Sequence, residues 1–169
     1  MTAERWELAP ENAHQVARKV LKSPFFWDIA DDGAPLGSDT GADTLAYYRE
    51  WRAKNPSAPA LAFVENILTD WDIRVPQREL IDERELKAAL QEDDFSLLTH
   101  DDFMIALAFA QLVLEGRIEP EIRDRALQSI QRQATSTVID FRGWVGPKER
   151  RSRLAKMREA IELARQLEG

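Results

Sequence analysis

Apolar positions along the chain recur at the 3.6-residue spacing of an α-helix, and no segment alternates cleanly at the two-residue period of a half-buried strand. Prolines, glycines and polar turns separate the periodic segments. The pattern predicts an all-α protein, a single irregular or orthogonal bundle of about seven helices. The expected helices span about residues 10–22, 39–54, 59–71, 78–91, 99–116, 120–141 and 147–167.

The most apolar of these segments is predicted to form the centre of the bundle. Residues 103–114 contain a single polar side chain, that of Gln111. A helix that is apolar on every side is buried, and this stretch is far shorter than the roughly 20 residues that span a bilayer. We therefore expect a central buried helix near residues 100–116, with Thr99 as its N-cap and Gly116 as the left-handed residue that ends it.

Length and composition are those of one globular domain, which we expect to cover residues 1–169. The apolar fraction of 44% argues against disorder, and the absence of cysteine excludes disulfides and thiolate metal sites. Residues 1–10 lack the apolar core of a signal peptide, and no apolar run reaches the length of a membrane span. The sequence thus predicts a soluble, bacterial-type protein of the cytoplasm with no membrane partner.

Charge is distributed unevenly along the chain, whose formal net charge is −7. Residues 1–116 carry 11 Lys and Arg against 22 Asp and Glu, whereas residues 117–169 carry 12 against 8. An acidic protein repels the phosphate backbone, so nucleic-acid binding is disfavoured. Three arrangements are open: the acidic and basic segments face each other in the fold, they simply lie in water, or the basic segment binds an anionic partner.

Between residues 25 and 38 the sequence FFWDIADDGAPLGS predicts an ordered acidic loop before the second helix. Four aspartates of the loop and of that helix are candidate binding residues: Asp31, Asp32, Asp39 and Asp43. The spacing partly matches a calcium-binding loop, but Ala30 stands where a ligand is needed, so we predict no bound metal and no cofactor. The structural alternative is that these side chains form Asx-turns and cap a helix.

The last helix is basic, and cations in its first turn face the positive end of the helix dipole, where each is unfavourable by ~0.3–1 kcal/mol. Arg151 and Arg158 are seven residues apart and therefore share one stripe. Trp27 and Trp144, expected in loops, are of the residue type that anchors protein interfaces. We take all four as candidate binding residues. The alternatives are internal ion pairs for the arginines and plugging of the core for the tryptophans.

No catalytic constellation is recognisable in the sequence. The two histidines, His14 and His100, have no partner at metal-ligand spacing, and the chain contains neither a nucleophile elbow nor a phosphate-binding glycine loop. We predict no catalytic residue and favour a protein that is not an enzyme.

Three stretches carry a resemblance to a known sequence signature: FFWD at 25–28, PLGSDTGAD at 35–43 and YREW at 48–51. Together they resemble a signature of uncharacterised bacterial proteins, a domain of unknown function. The resemblance implies that the acidic loop is a recurring structural element, and it gives no activity to any residue.

These observations lead to three functional hypotheses. The first is a non-enzymatic protein-interaction module, because immunity proteins and antitoxins, which bind a protein partner, are typically small, acidic and helical. The alternative is a metal-dependent hydrolase that uses the aspartate-rich loop. A weaker alternative is binding of an anion or of nucleic acid by the basic C-terminal helix. The sequence does not indicate an oligomeric state.

Overall fold

A computed structural model describes residues 6–168, which form seven α-helices and no strand within that range. About 71% of these described residues are helical. The seven helices are α1 (Gln15–Val20), α2 (Asp39–Lys54), α3 (Ala60–Asp70), α4 (Glu83–Glu115), α5 (Pro120–Gln133), α6 (Ser136–Arg142) and α7 (Pro147–Glu168). Two 3-10 turns, Pro10–Asn12 and Pro24–Trp27, flank α1. The predicted fold class is confirmed. The predicted domain includes residues 1–5 and 169, which lie outside the described residues.

Helix α4 is the central helix, and it is buried without a break from residue 103 to residue 113. Helices α2 and α5 pack against it, and most of the buried apolar side chains join one cluster around it. At 33 residues, α4 is long and apolar enough to cross a membrane by length and composition alone, although its nearly unbroken apolar run is limited to residues 103–114. Its most apolar window is 78% buried inside the fold, as in the core helix of a bundle.

The predicted start of the central helix at Thr99 is wrong, because α4 continues through that residue. The two helices expected at 78–91 and 99–116 are one helix with a kink at Asp93, where φ is −157° and ψ is 78°. The Asp93 carboxylate accepts a hydrogen bond from the Ser96 amide at 3.1 Å and so caps the second half of the helix. Asp82 caps the first half in the same manner, through the Glu85 amide.

Two other helix boundaries differ from the prediction because a side chain caps the backbone. The predicted 10–22 helix divides into a 3-10 turn and α1, since the imidazole of His14 accepts a hydrogen bond from the Val16 amide at 3.1 Å. The predicted 120–141 helix divides at Thr135, whose hydroxyl caps α6. Gly116 ends α4 with φ of +73°, as expected.

Two buried polar networks tie the central helix to its neighbours. On one side, Asp101 of α4 accepts hydrogen bonds from Arg132 and Gln133 of α5. On the other, the Tyr48 hydroxyl donates to Glu115 at 2.7 Å, and Arg52 pairs with the same carboxylate at 2.8 Å. Burial is the largest of the causes that raise the pKa of Tyr48 well above its ordinary value. These groups satisfy one another within the core, so we regard both networks as structural.

Candidate binding cleft

A cleft of about 740 Å³ opens where the loop before α2 meets the turn between α6 and α7. We call residues 28–38 the aspartate loop and residues 143–146 the glycine turn. One wall is formed by the aspartate loop and the first turn of α2, and the other by the glycine turn and the first two turns of α7. The polar side chains that line the cleft are Asp32, Ser38, Asp39, Thr40, Asp102, Arg142, Trp144, Glu149, Arg150 and Arg153.

Hydrogen bonds within the aspartate loop explain its conformation. Asp28 accepts from the Ala30 amide at 2.9 Å and Asp31 from the Gly33 amide at 2.8 Å, so both form the expected Asx-turns. A side chain at Gly37 would overlap the carbonyl oxygens of Asp28 and Asp31, so this position requires glycine. The loop then ends at Ser38, whose hydroxyl accepts from the Gly41 amide at 3.0 Å and caps α2.

The basic helix and the aspartate loop are in direct contact. Arg153 pairs with Asp31 at 2.5 Å, and Arg150 donates from Nη1 to the carbonyl oxygen of Gly33 at 3.0 Å. Arg153 also lies 3.4 Å from Glu149, one turn earlier in α7. The two oppositely charged segments therefore face each other, which is one of the arrangements that the sequence left open.

Arg150 is the unusual side chain of the cleft. It is 7% exposed, and the Gly33 carbonyl is its one hydrogen-bond acceptor among residues 6–168. Its Nε atom is buried without an acceptor among the described residues. The guanidinium stacks on the Trp144 ring at 4.4 Å from the ring centroid. Burial is the main cause that lowers the pKa of Arg150 to about 10; Asp102 opposes this shift, and the neighbouring arginines add to it.

Arg142 and Asp102 form an ion pair at the inner end of the cleft, with 2.8 Å between Nη2 and Oδ2. Both side chains are about one-fifth exposed, at 19% and 24%. Burial raises the pKa of Asp102 above its ordinary value, and the ion pair with Arg142 opposes that shift.

Four of the eight candidate binding residues lie at the cleft. Asp32, Asp39 and Trp144 line it, with both aspartates exposed, and Asp31 borders it through its ion pair with Arg153. The metal-centred alternative gains no support from this arrangement. Among residues 6–168, no group of three or more His, Asp or Glu side chains is placed to hold a metal ion.

The other four candidates lie outside the cleft. Trp27 packs on the core and donates its indole N–H to the Leu21 carbonyl at 2.8 Å, which is the structural alternative for this residue. Arg151 donates to the Ser136 hydroxyl at 2.8 Å. Asp43 and Arg158 are exposed on the surfaces of α2 and α7.

The arginines that line the cleft differ from the pair that the sequence singled out. The stripe of Arg151 and Arg158 points to solvent, whereas Arg150 and Arg153 face the aspartate loop. One sequence signal did indicate Arg150. It is among the cations in the first turn of the last helix, where the helix dipole disfavours a positive charge, so a stabilising contact with another group is expected. No sequence signal assigned Asp102 to a cleft, because the residue was interpreted as part of a helix start at Thr99.

One apolar side chain lies at the mouth of the cleft. Val145 is 99% exposed and stands in the glycine turn, directly after Trp144. Gly143 and Gly146, which flank the pair, have φ of +70° and +111°, values that disfavour side chains at both positions. The backbone of this turn therefore presents Val145 to solvent beside the Trp144–Arg150 stack.

Comparison with known proteins finds a distant relative. The chain is 26% identical over 120 residues to the uncharacterised protein YfeS of Escherichia coli (strain K12). The match covers 70% of this chain and 49% of the E. coli protein, so the chain matches about half the length of this curated relative. No family model and no solved structure matches the chain. The comparisons thus connect the chain to an uncharacterised protein and give no activity to the cleft.

Proposed function

We propose that the protein is a non-catalytic recognition module that binds a partner protein at the cleft. The observation that supports the proposal is the group of three side chains at the mouth of the cleft. Val145 is 99% exposed, and beside it Trp144 stacks on the buried guanidinium of Arg150. Tryptophan and arginine are enriched among the few residues that dominate the energy of protein interfaces.

Isolated exposed apolar residues are common, and Val145 alone would carry no argument. Here the exposed residue adjoins a cleft of about 740 Å³ whose walls carry charges of both signs. A segment of a partner could cover Val145 and place a polar group inside the cleft. This combination of an apolar contact and a polar pocket is the arrangement of a protein interface with a desolvated centre.

Three narrower statements belong to the same proposal. A role like that of an immunity protein or antitoxin is suggested by the net charge of −7 and the helical fold. A cytoplasmic location is suggested by the composition. Membership of an uncharacterised bacterial family is suggested by the segment 25–51 together with the distant similarity to YfeS.

Site-specific photocrosslinking tests the proposal. A photoreactive phenylalanine analogue replaces Val145 in the organism that encodes the protein, and the matched control carries it at Val75, which is 57% exposed and does not line the cleft. We expect a protein adduct of discrete mass from position 145 that is not formed from position 75. The crosslinked protein is then purified and titrated against wild type and against Val145→Asp.

Two results would contradict the proposal. One is the absence of an adduct specific to position 145 across growth conditions. The other is a crosslinked protein that binds Val145→Asp as tightly as it binds wild type, since a charge in the centre of an interface weakens binding strongly.

A further inference from the structure

Arg150 is a buried cation without an ion pair among the described residues, although Asp102 and Asp31 lie near enough to act on its charge. Its side chain is 7% exposed, its acceptor is the neutral carbonyl of Gly33, and no described carboxylate forms an ion pair with it. A buried cation without a counter-charge is costly, and structural arginines normally avoid that cost by pairing. Arg132 of this protein does so, because its Nη1 atom lies 2.6 Å from Asp101.

The other cations of the cleft already have carboxylate partners. Arg142 pairs with Asp102, and Arg153 pairs with Asp31 and lies near Glu149. Arg150 is therefore the one cation lining the cleft that has no ion pair within residues 6–168. It also retains unused donors, because no described residue accepts a hydrogen bond from its Nε or Nη2 atoms. The Nε atom is enclosed by the described residues, whereas Nη2 is not, so Nη2 is the donor that an acceptor entering the cleft reaches. A guanidinium N–H and a carboxylate oxygen form a strong, charge-assisted hydrogen bond.

We infer that Arg150 is the receptor for a single carboxylate group that the partner inserts into the cleft. The inference depends on the proposed function, because it names the chemical group through which that partner binds. The carboxylate would accept from Nη2 in the plane of the guanidinium, and the Trp144 ring would cover one face of that plane.

The local charge favours a carboxylate over a phosphate or a nucleic acid. One positive charge is unpaired, whereas Asp32 and Asp39 also line the cleft and are exposed. A dianionic phosphate would leave one negative charge uncompensated beside these aspartates, and a polyanion would leave more. A singly charged carboxylate forms one ion pair with Arg150 and adds less negative charge beside these aspartates than either alternative.

Nuclear magnetic resonance of the five tryptophan indole N–H groups tests the inference in the full-length protein. Sodium acetate is titrated in place of sodium chloride at constant ionic strength. We expect a saturable shift of the Trp144 indole resonance and no comparable shift of Trp51 or Trp71, which pack against the core. Acetylglycine, with a terminal carboxylate, and acetylaspartate amide, with a side-chain carboxylate, extend the titration. The tighter of the two identifies the source of the group.

Matched arginine variants assign the effect to one side chain. Arg150→Gln removes the charge and should weaken acetate binding at least tenfold, whereas Arg158→Gln, at an exposed position of the same helix, should bind acetate as wild type does. Arg150→Lys keeps the charge but loses the fork of donors, and we expect intermediate weakening. This variant decides the question if Arg150→Gln does not fold.

Three results would overturn the inference: no saturable shift with any carboxylate probe, binding to the Arg150 variants equal to wild type, or tighter binding of inorganic phosphate than of acetate at pH 8. These outcomes are separable from failure of the proposed function. If crosslinking from position 145 identifies a partner but the Arg150 variants bind that partner normally, the proposed recognition module is supported and the inference of a carboxylate receptor is wrong.

Discussion

Replacement of Asp101 by asparagine tests the buried network that fastens α4 to α5. The Asp101 side chain is fully buried and accepts four hydrogen bonds, from His100 Nδ1 at 3.0 Å, Ser129 Oγ at 2.9 Å, Arg132 Nη1 at 2.6 Å and Gln133 Nε2 at 3.1 Å. Asparagine has nearly the same shape but no charge, and its amide nitrogen donates where a carboxylate oxygen accepted. The variant therefore leaves the guanidinium of Arg132, which is 2% exposed, buried without a counter-charge.

Loss of one member of a buried ion pair costs about 3–5 kcal/mol, and we predict a decrease of that size in the free energy of unfolding of Asp101→Asn. For a chain of this length the melting temperature should fall by about 6–20 °C. Urea denaturation followed by far-ultraviolet circular dichroism measures the free energy directly. The hydrogen bonds from Ser129 and Gln133 add smaller terms of about 1 kcal/mol each, and partial rearrangement offsets some of them.

The matched control is Asp124→Asn, which makes the same change of charge at an exposed position of α5 and should stay within about 0.5 kcal/mol of wild type. If Asp101→Asn also stayed within about 1 kcal/mol of wild type, the carboxylate would not be needed to neutralise Arg132. The structural interpretation of the network would then be refuted.

Further predictions concern the helix ends and the inner end of the cleft. Ser38→Ala removes the N-cap of α2 and should destabilise the fold by about 1 kcal/mol in urea denaturation. Gly116→Ala should be more destabilising than Gly143→Ala by the same measurement. Both positions have positive φ, but a side chain at Gly116 would also overlap the His14 ring, whereas Gly143 has open space. Because the folded state raises the pKa of Asp102, wild type should gain stability relative to Asp102→Asn as the pH falls from neutrality through that pKa. The gain should level off below the ordinary aspartate range of about 4, and a gain on raising the pH would contradict the burial argument.

The sequence was sufficient for the all-helical fold and for those helix ends that depend on local chemistry. Gly116 was identified because a left-handed glycine ends a helix through contacts within a few residues. Thr99 was misinterpreted because its position, three residues before Asp102, fits a capping box, and propensity alone does not show that α4 already begins upstream. Periodicity located the buried helix, whereas the kink at Asp93 depends on a single side chain.

The cleft could be predicted only in part, because it depends on contacts between residues far apart in the chain. Local spacing places Asp31 and Asp32 in an acidic loop, but the pairing of Asp31 with Arg153 joins positions more than 100 residues apart. The choice between the register of Arg151 and that of Arg150 depends on how α7 is rotated against the bundle. A seven-residue stripe of arginines is equally compatible with a solvent-exposed face.

Comparison of two buried arginines tests whether Arg150 serves recognition of a partner or stability of the fold. Arg132 is paired with Asp101, whereas Arg150 has no ion pair among the described residues. If Arg150 serves recognition, Arg132→Met should lower the free energy of unfolding by about 3–5 kcal/mol. Arg150→Met should lower it by less than about 1 kcal/mol, because the variant no longer buries an unpaired charge. An Arg150→Met variant that is destabilised as strongly as Arg132→Met would show that Arg150 serves the fold, and would contradict its role in recognition.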